Sequence, residues 1–294
     1  MTSTSRKIVF FGTEDFSLAA LTGLIEASYD IAAVVTKPDT PRGRGQKLTP
    51  PAVKALALKH NIAVMQPSNL ADIETAIRKI DNPVGVLSSY GKIVPTKIID
   101  LFKPGIINIH PSLLPKYRGP SPIESAILNN DQQTGVSIMK LAAKMDAGPV
   151  YAQELVPLDG TEQKPELYSR LANIGSRLLI EHLPSIIDGR LQPEPQDDSV
   201  ASYCPLLKKS DGQLDPDLLT ATVAERKVRA YRGYPKTRLN FEGVELIITG
   251  ASVADQPKTP LDLKYQDGAY LVIDELVAPS GRTMTAAAYL NGRR

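Results

Sequence analysis

The sequence has few of the residues that build disulfide-stabilised or metal-stabilised proteins. Among its 294 residues there is one cysteine, Cys204, and there are three histidines, His60, His110 and His182. A single cysteine excludes an internal disulfide framework, and the histidines form no Cys/His cluster with zinc-ligand spacing. Cys204 lies in a stretch rich in Pro, Ser and Tyr, where we interpret it as a plain linker thiol. We therefore expect no metal site.

Near its start the sequence also lacks an apolar run long enough for a signal peptide or a membrane span. The polar residues 1–7 pass directly into a short apolar run at 8–11. A signal-peptide core needs about 7–15 apolar residues, and a membrane-spanning helix needs about 20. We therefore expect the protein to be cytoplasmic.

Net charge is small but unevenly distributed. Lys and Arg together number 34 against 32 Asp and Glu, a net charge of +2, so no global field favours nucleic acid. Two segments are nevertheless basic, namely residues 37–47 and residues 226–238. Such patches attract polyanions, although each is also compatible with an ordinary solvated face.

The order of predicted elements indicates an α/β fold in the first two thirds of the chain. Apolar segments predict strands at 7–11, 31–35, 63–66, 84–88 and 106–110, with helices between them at 15–25, 52–60, 73–80 and 95–101. Thr13 is the predicted cap of the first helix. This alternation is typical of a doubly wound, mostly parallel, Rossmann-like sheet. A strand pair at 134–140 and 150–157 and a long helix at 165–187 complete a domain of residues 1–189.

The remaining third of the chain predicts a second, smaller domain. Residues 190–207 are Pro-rich and without periodicity, which indicates a linker. Residues 208–294 contain a helical segment at 222–230 and short predicted strands at 237–241, 245–252, 270–277 and 283–290. This pattern predicts a small OB-like β-barrel, a fold that would suit a basic surface.

The segment around residues 105–119 carries the most informative pattern. Asn108 and His110 lie two residues apart at a strand end and therefore project to one face. Asp146 follows another predicted strand in an Ala/Gly/Pro turn. If Asp146 folds back beside His110, the three residues supply an oxyanion donor, an imidazole and an acid that orients it. No serine or cysteine nucleophile is indicated, which favours direct attack by a substrate amine.

Two loops are expected next to the same crevice. The turn of residues 88–91 ends the fourth strand at the sheet edge where open α/β sheets bind ligands. Residues 36–47 are too rich in Gly, Pro and charge for a core element and predict an exposed loop. Within that loop, Arg42 and Arg44 are candidates for contact with a nucleic-acid end.

These residues together resemble the formyltransferase family that uses 10-formyltetrahydrofolate. The resemblance rests on Asn108-x-His110, on the Ser-Leu-Leu-Pro run of residues 112–115, on Arg118-Gly119 and on Asp146. The Gly-Arg-Gly loop at 43–45 and the basic C-terminal part are similar to those members that formylate methionyl initiator tRNA.

The resemblance implies a role for each matched residue. The catalytic set would be Asn108, His110 and Asp146, acting with 10-formyltetrahydrofolate as co-substrate and without a metal. The implied folate contacts are Ser112, Leu113, Leu114 and Pro115, with Leu87, Ser88, Ser89, Tyr90 and Gly91 near the pteridine. The implied tRNA contacts are Arg42, Arg44 and Lys47, together with Arg226, Lys227, Arg229, Arg232 and Lys236. Residues 1–189 would form the catalytic domain and residues 208–294 the tRNA-binding domain of a monomer.

Three other functions remain open at this point. A formyltransferase acting on an amino sugar nucleotide would share the catalytic residues but has less use for a basic barrel. A hydrolase of 10-formyltetrahydrofolate would replace the amine with water. A non-catalytic tRNA-binding protein would keep the fold as a scaffold.

Overall fold

The computed structural model describes residues 6–42 and 45–292, which group into two compact units. Unit 1 comprises Met1–Gly119, Thr134–Val156 and Tyr168–Tyr203. Unit 2 comprises Pro120–Gln133, Pro157–Leu167 and Cys204–Arg294. The chain therefore passes between the units more than once, and residues 190–203, predicted as linker, belong to unit 1. The functional extents of the two predicted domains stay predictions.

The strands of the first half of the chain are short and mostly apolar. In chain order they are β1 (Ile8–Gly12), β2 (Ile31–Val35), β3 (Thr40–Arg42), β4 (Lys47–Thr49), β5 (Val64–Met65), β6 (Val84–Ser88), β7 (Ile106–His110), β8 (Gln133–Lys140) and β9 (Val150–Pro157). Seven of them form one sheet in the order β5-β2-β1-β6-β7-β8-β9. Pairing is parallel from β5 through to β7, and β8 lies antiparallel to β7. The prediction of a mostly parallel sheet is confirmed.

Helices cover both faces of this sheet. The helices of the described residues are α1 (Phe16–Glu26), α2 (Ala52–Lys59), α3 (Glu74–Arg78), α4 (Thr96–Ile99), α5 (Pro122–Leu128), α6 (Lys164–Ile187), α7 (Ala221–Ala230) and α8 (Ala286–Asn291). One face buries Val9, Phe11 and Ile106 against side chains of α3 and α4. On the other face a Cβ at Gly175 of α6 would lie 2.6 Å from Ile109 Cγ2. The even-numbered side chains of β7 therefore face away from α6.

Unit 2 contains an antiparallel sheet with its own apolar core. Its strands are β10 (Thr237–Phe241), β11 (Val244–Ala254), β12 (Leu263–Lys264), β13 (Tyr270–Val277) and β14 (Thr283–Thr285). They run in the order β10-β11-β13-β12, and β14 also pairs with β13. Buried residues such as Val228 of α7, Leu246 and Leu276 fill one core. Because apolar side chains of the helix and the sheet share this core, each stabilises the other.

Two predictions were wrong: the final strand at 283–290 and the capping of α1 by Thr13. Residues 283–290 were predicted as one strand, but only β14 is extended and α8 follows it. Thr285 caps that helix by accepting a hydrogen bond from Ala288 N at 3.2 Å, and three alanines then favour helix. Thr13 does not cap α1: the N-cap residue is Asp15, and the Thr13 hydroxyl oxygen accepts from Lys37 N at 3.3 Å while the hydroxyl donates to Tyr90 O at 3.0 Å.

Four further elements were not predicted, namely β3, β4, α5 and β12. Helix α5 begins with Pro122 at its first turn, a position that proline favours. The expected loop at 36–47 contains strands β3 and β4, which pair Thr40 with Thr49 and Arg42 with Lys47. These two strands are held together by backbone hydrogen bonds rather than by apolar burial, since Leu48 is 63% exposed.

Across the described part of the chain, no helix has both the length and the apolar character that a membrane crossing requires.

Candidate active site

Asn108 and His110 are buried polar residues at the carboxyl end of β7. Their exposed fractions are 5% and 4%, in a strand whose other members are apolar. Strand β7 is central in this region, with Leu87 of β6 beside Asn108 on one side and Met139 of β8 on the other. Both side chains lie on the face that Ile106 occupies, as the two-residue spacing predicts. A buried amide and imidazole side by side form a polar site at the sheet edge where ligands bind.

The ring of His110 is oriented by one carbonyl and one carboxylate. Nε2 lies 2.9 Å from the backbone oxygen of Tyr117, and Nδ1 lies 3.8 Å from Asp146 Oδ2. A carbonyl oxygen only accepts, so Nε2 carries a hydrogen and Nδ1 is the ring nitrogen that faces the carboxylate. The 3.8 Å separation exceeds the roughly 2.7–3.2 Å of an N–H···O bond. A proton on Nδ1 is therefore attracted by the carboxylate and still available to a third atom.

Asp146 is held by its carboxylate and by an unusual backbone. Its Oδ2 accepts a hydrogen bond from Gly119 N at 2.9 Å. Its φ of 46° lies in the left-handed region that non-glycine residues adopt uncommonly. Two residues on, a Cβ at Gly148 would lie 1.8 Å from Lys140 O, so only glycine fits there. The turn after β8 is thus packed closely against the end of that strand. This close packing directs Asp146 toward His110.

The loop of residues 111–119 is fixed by polar contacts of its own. Ser112 Oγ donates to Lys116 O at 2.6 Å, and Ser137 Oγ donates to Ser112 O at 2.6 Å. Gln153 Nε2 donates to Leu114 O at 2.9 Å, and the Leu114-Pro115 bond is cis. The hydroxyl of Ser112 therefore serves the loop itself. The folate contacts assigned to residues 112–115 stay predictions.

Leu113 of the same loop lies over strand β8. A Cβ at Gly135 would be 2.4 Å from Leu113 Cδ2, so the glycine makes room for this side chain. Leu114 is 5% exposed. Both leucines thus pack within unit 1.

The turn of residues 87–91 contains buried polar groups. Ser88 Oγ and the Tyr90 hydroxyl are buried, and neither has a hydrogen-bond partner among the described residues. Burial also raises the pKa of Tyr90 to about 12, so its hydroxyl stays protonated. Ser89 and Gly91 have φ of 46° and 70°, which turns the backbone sharply at this strand end. The turn lies at the carboxyl edge of the sheet, where open α/β sheets bind ligands.

The first basic segment is described only in part. Lys47 is exposed, and the backbone of Arg42 pairs with it. The side chain of Arg42 and the whole of Arg44 lie outside the described residues. Directly before β3, Asp39 forms an ion pair with Lys54 at 2.8 Å. Hydrogen bonds from Lys54 and Gln66 lower the pKa of the Asp39 carboxyl.

The second basic segment, residues 226–238, divides into structural and exposed cations. Arg229 is 7% exposed and bonds both oxygens of Glu225, at 2.7 and 3.0 Å, and Glu162 O at 3.0 Å. Arg238, also 7% exposed, donates to the carbonyls of Lys209, Pro235 and Lys236.

The other four cations of this segment are more accessible. Lys227 is half-buried, which lowers its pKa against the opposing pull of Asp211 and Asp215, and it donates to Gln213 O at 3.0 Å. Lys236 is exposed, and Arg226 and Arg232 are partly so. A tRNA role for Arg229 would require its buried pair to open, so the accessible residues are the better candidates.

Three groups near His110 were missed by sequence reasoning. The carbonyl of Tyr117 and the amide of Gly119 are backbone groups, which no side-chain pattern reveals. Gln196 donates to Asp146 O at 2.8 Å and to Gly148 O at 2.6 Å from a segment predicted as linker. The Arg118-Gly119 pair was a visible signal, but only as part of a family motif.

In the described part of the chain, His, Cys, Asp and Glu side chains form no group of three that could hold a metal. Cys204 is buried, with its Sγ 3.2 Å from the donor Ser121 N.

Comparison with known proteins defines the class to which this site belongs. A family model described as "Formyl transferase" matches residues 6–183. The chain belongs to the formyl transferase family.

Within the family, two curated relatives that match nearly the whole chain carry the same name. The chain is 38% identical to the methionyl-tRNA formyltransferase of Halorhodospira halophila, over 98% of this chain and 96% of the relative. It is 39% identical to the protein of the same name from Chloroflexus aurantiacus, over 97% of this chain and 96% of the relative. Among solved structures, HypX from Aquifex aeolicus in complex with tetrahydrofolic acid has a TM-score of 0.67 at 17% identity. That match covers 98% of this chain and 47% of the longer HypX chain, and it shows likeness of fold.

Proposed function

We propose that this protein transfers the formyl group of 10-formyltetrahydrofolate to the α-amino group of methionyl initiator tRNA, for translation initiation. The observation that carries the proposal is the approach of Asp146 Oδ2 to within 3.8 Å of His110 Nδ1 beside buried Asn108. Relatives named methionyl-tRNA formyltransferase, matched over nearly the whole chain, support the choice of acceptor.

The three side chains suit the charge changes of formyl transfer. The amine nitrogen forms a bond to the formyl carbon, and the carbonyl electron pair moves onto oxygen. Asn108 donates a hydrogen bond to that oxygen, and protonated His110 donates to it through Nδ1, because Tyr117 O occupies Nε2. Asp146 attracts the positive ring and accepts the proton that the amine loses. It passes this proton to N10 of the folate as the electron pair on oxygen re-forms the carbonyl and the bond between N10 and the formyl carbon breaks.

The turn of residues 87–91 supports folate as the co-substrate. It lies at the carboxyl edge of the sheet, where the backbone turns sharply at Ser89 and Gly91, a position suited to hydrogen bonds between backbone groups and a polar heterocycle such as the pteridine. The loop of residues 112–115 would then cover the formyl-bearing part of the molecule. The tetrahydrofolate complex of HypX, which shares the fold, is consistent with this assignment.

The basic segments support tRNA as the acceptor. The paired strands β3 and β4, which contain Arg42 and Lys47, follow β2 in the chain, and Arg226, Arg232 and Lys236 lie in unit 2 with accessible side chains. Arg44 lies between Arg42 and Lys47 in the sequence, outside the described residues. We propose that the antiparallel sheet of unit 2 is a small OB-like barrel that binds tRNA phosphates through such cations. We further propose that residues 1–189 form the catalytic domain, that the protein is a monomer and that it acts in the cytoplasm.

One experiment distinguishes this function from its alternatives. The protein is incubated with 10-formyltetrahydrofolate and one of three acceptors: methionyl initiator tRNA, an amino sugar nucleotide, or water alone. We expect formyl-methionyl-tRNA as the product and little turnover with the others. His110→Ala should abolish most of this activity, and His60→Ala, at an exposed histidine, should not. Formate release at equal rate without tRNA would instead identify a hydrolase.

A further inference from the structure

A polar segment contacts both the loop of residues 111–119 and the turn that contains Asp146. Residues 194–203, here called the crossing segment, pair with β9 through two backbone hydrogen bonds of 2.8 Å between Glu194 and Val150. At the other end, Ser202 O accepts from Arg118 N at 2.9 Å, and Ser202 N donates to Pro115 O at 3.1 Å. Most of its side chains are exposed, so polar contacts rather than apolar burial hold it in place.

Gln196 is the member of this segment that reaches both loops. Its Oε1 accepts from Arg118 Nε at 2.9 Å, and its Nε2 donates to Asp146 O at 2.8 Å and Gly148 O at 2.6 Å. The guanidinium only donates and the carbonyls only accept, which fixes the orientation of the amide. All three contacts are therefore satisfied by one side-chain orientation.

Arg118 completes a closed ring of contacts around Asp146. Its guanidinium is fully buried and also contacts Asp198 Oδ1 at 2.7 Å and the Tyr203 hydroxyl at 3.2 Å. The next residue, Gly119, donates its amide to Asp146 Oδ2. The side chain of Arg118 thus holds Gln196, which holds the backbone of Asp146, while the adjoining peptide holds the Asp146 carboxylate.

We propose that Gln196 and Arg118 are positioning residues, which set the Asp146 carboxylate at its distance from His110 Nδ1. The inference rests on the proposed catalytic role of Asp146. It adds that the crossing segment is part of the active-site support rather than a passive connection. Because Asp146 has a left-handed backbone, its carbonyl direction depends on contacts from outside its own turn.

Two variants of Gln196 separate the contacts. Gln196→Ala removes the links to both loops. Gln196→Glu keeps an acceptor for Arg118 but replaces the donors to Asp146 O and Gly148 O with a second carboxylate oxygen. Gln192→Glu is the matched control, since Gln192 donates only to Gly189 O at 2.7 Å and is exposed.

We expect both Gln196 variants to lose on the order of tenfold to a hundredfold in kcat, the usual effect of a small misplacement at a reacting centre. KM for 10-formyltetrahydrofolate should change less than twofold, and circular dichroism should match the wild-type protein. Gln192→Glu should keep wild-type kcat. Unchanged kcat in Gln196→Glu would overturn the proposal.

A double-mutant cycle distinguishes positioning from general structural damage. If Gln196 acts through Asp146, adding Gln196→Ala to Asp146→Asn should lower kcat less than twofold further, because the group it places is already inactive. Equal losses in both backgrounds would refute the positioning role. Wild-type activity of Asp146→Asn alone would refute the proposed catalytic assignment, which is a separate outcome.

Discussion

The end of β7 in unit 1 and helix α7 in unit 2 both bury polar side chains, but with different partners. At β7, the ring of His110 contacts the Tyr117 carbonyl and lies 3.8 Å from the Asp146 carboxylate, and His110 Nδ1 keeps capacity for one more partner. At α7, buried Arg229 contacts a carboxylate one turn away and a backbone carbonyl. A buried polar group with remaining hydrogen-bonding capacity indicates chemistry, whereas one whose hydrogen bonds are complete stabilises the fold.

The strongest test of this contrast is removal of a polar group at β7. Asn108→Ala should lower kcat by about a hundredfold to a thousandfold, since one lost oxyanion donor has that effect. Folate binding and thermal stability should change little, because Asn108 serves the transition state. The measurement is steady-state kinetics with methionyl initiator tRNA. Near-normal kcat in this variant would remove Asn108 from the catalytic set.

The basic loop of unit 1 should affect the acceptor instead of the chemistry. Arg44, which lies outside the described residues, is expected from sequence to contact the tRNA end. Arg44→Ala should raise KM for tRNA by about tenfold or more, the equivalent of a lost charge-assisted hydrogen bond. KM for 10-formyltetrahydrofolate should stay the same. An equal rise in both KM values would place the loop against the folate.

Arg226 and Arg229 provide a matched pair within α7. Arg229→Ala should lower the free energy of unfolding by about 1.5–3 kcal/mol, because it breaks hydrogen bonds to a charged partner. Arg226→Ala should change stability by less than about 0.5 kcal/mol, yet weaken tRNA binding and reduce its salt slope by roughly one. Urea unfolding and salt-dependent binding measure the two effects. If Arg229→Ala alters tRNA affinity of the folded protein more than Arg226→Ala does, the division of these cations is wrong.

The contrast also explains what the sequence could and could not predict. The parallel strands and the Asn108–His110 spacing follow from local patterns, since apolar runs and two-residue periodicity are encoded nearby. The contacts of Tyr117, Gly119 and Gln196 depend on tertiary folding, and two of them use backbone atoms. Arg226 and Arg229 lie in the same basic segment and cannot be distinguished by composition. Only the presence of Glu225 one turn before Arg229 favours a structural role for Arg229. Helix α8 was missed although Thr285 and the alanines after it were visible.

The smallest expected effect concerns an ion pair that is only half enclosed. Asp198 is 63% exposed by side chain, and hydrogen bonds from Lys144 and Arg118 lower the pKa of its carboxyl. A carboxyl with a lowered folded-state pKa stabilises the protein above its unfolded pKa of about 3.9, and this contribution disappears as pH falls through the folded value. Asp198→Asn should therefore be slightly less stable than wild type at pH 7 and equal to it in acid, as urea midpoints at both pH values would show. A constant difference across this range would mean that Asp198 stabilises the protein through packing and not through its charge.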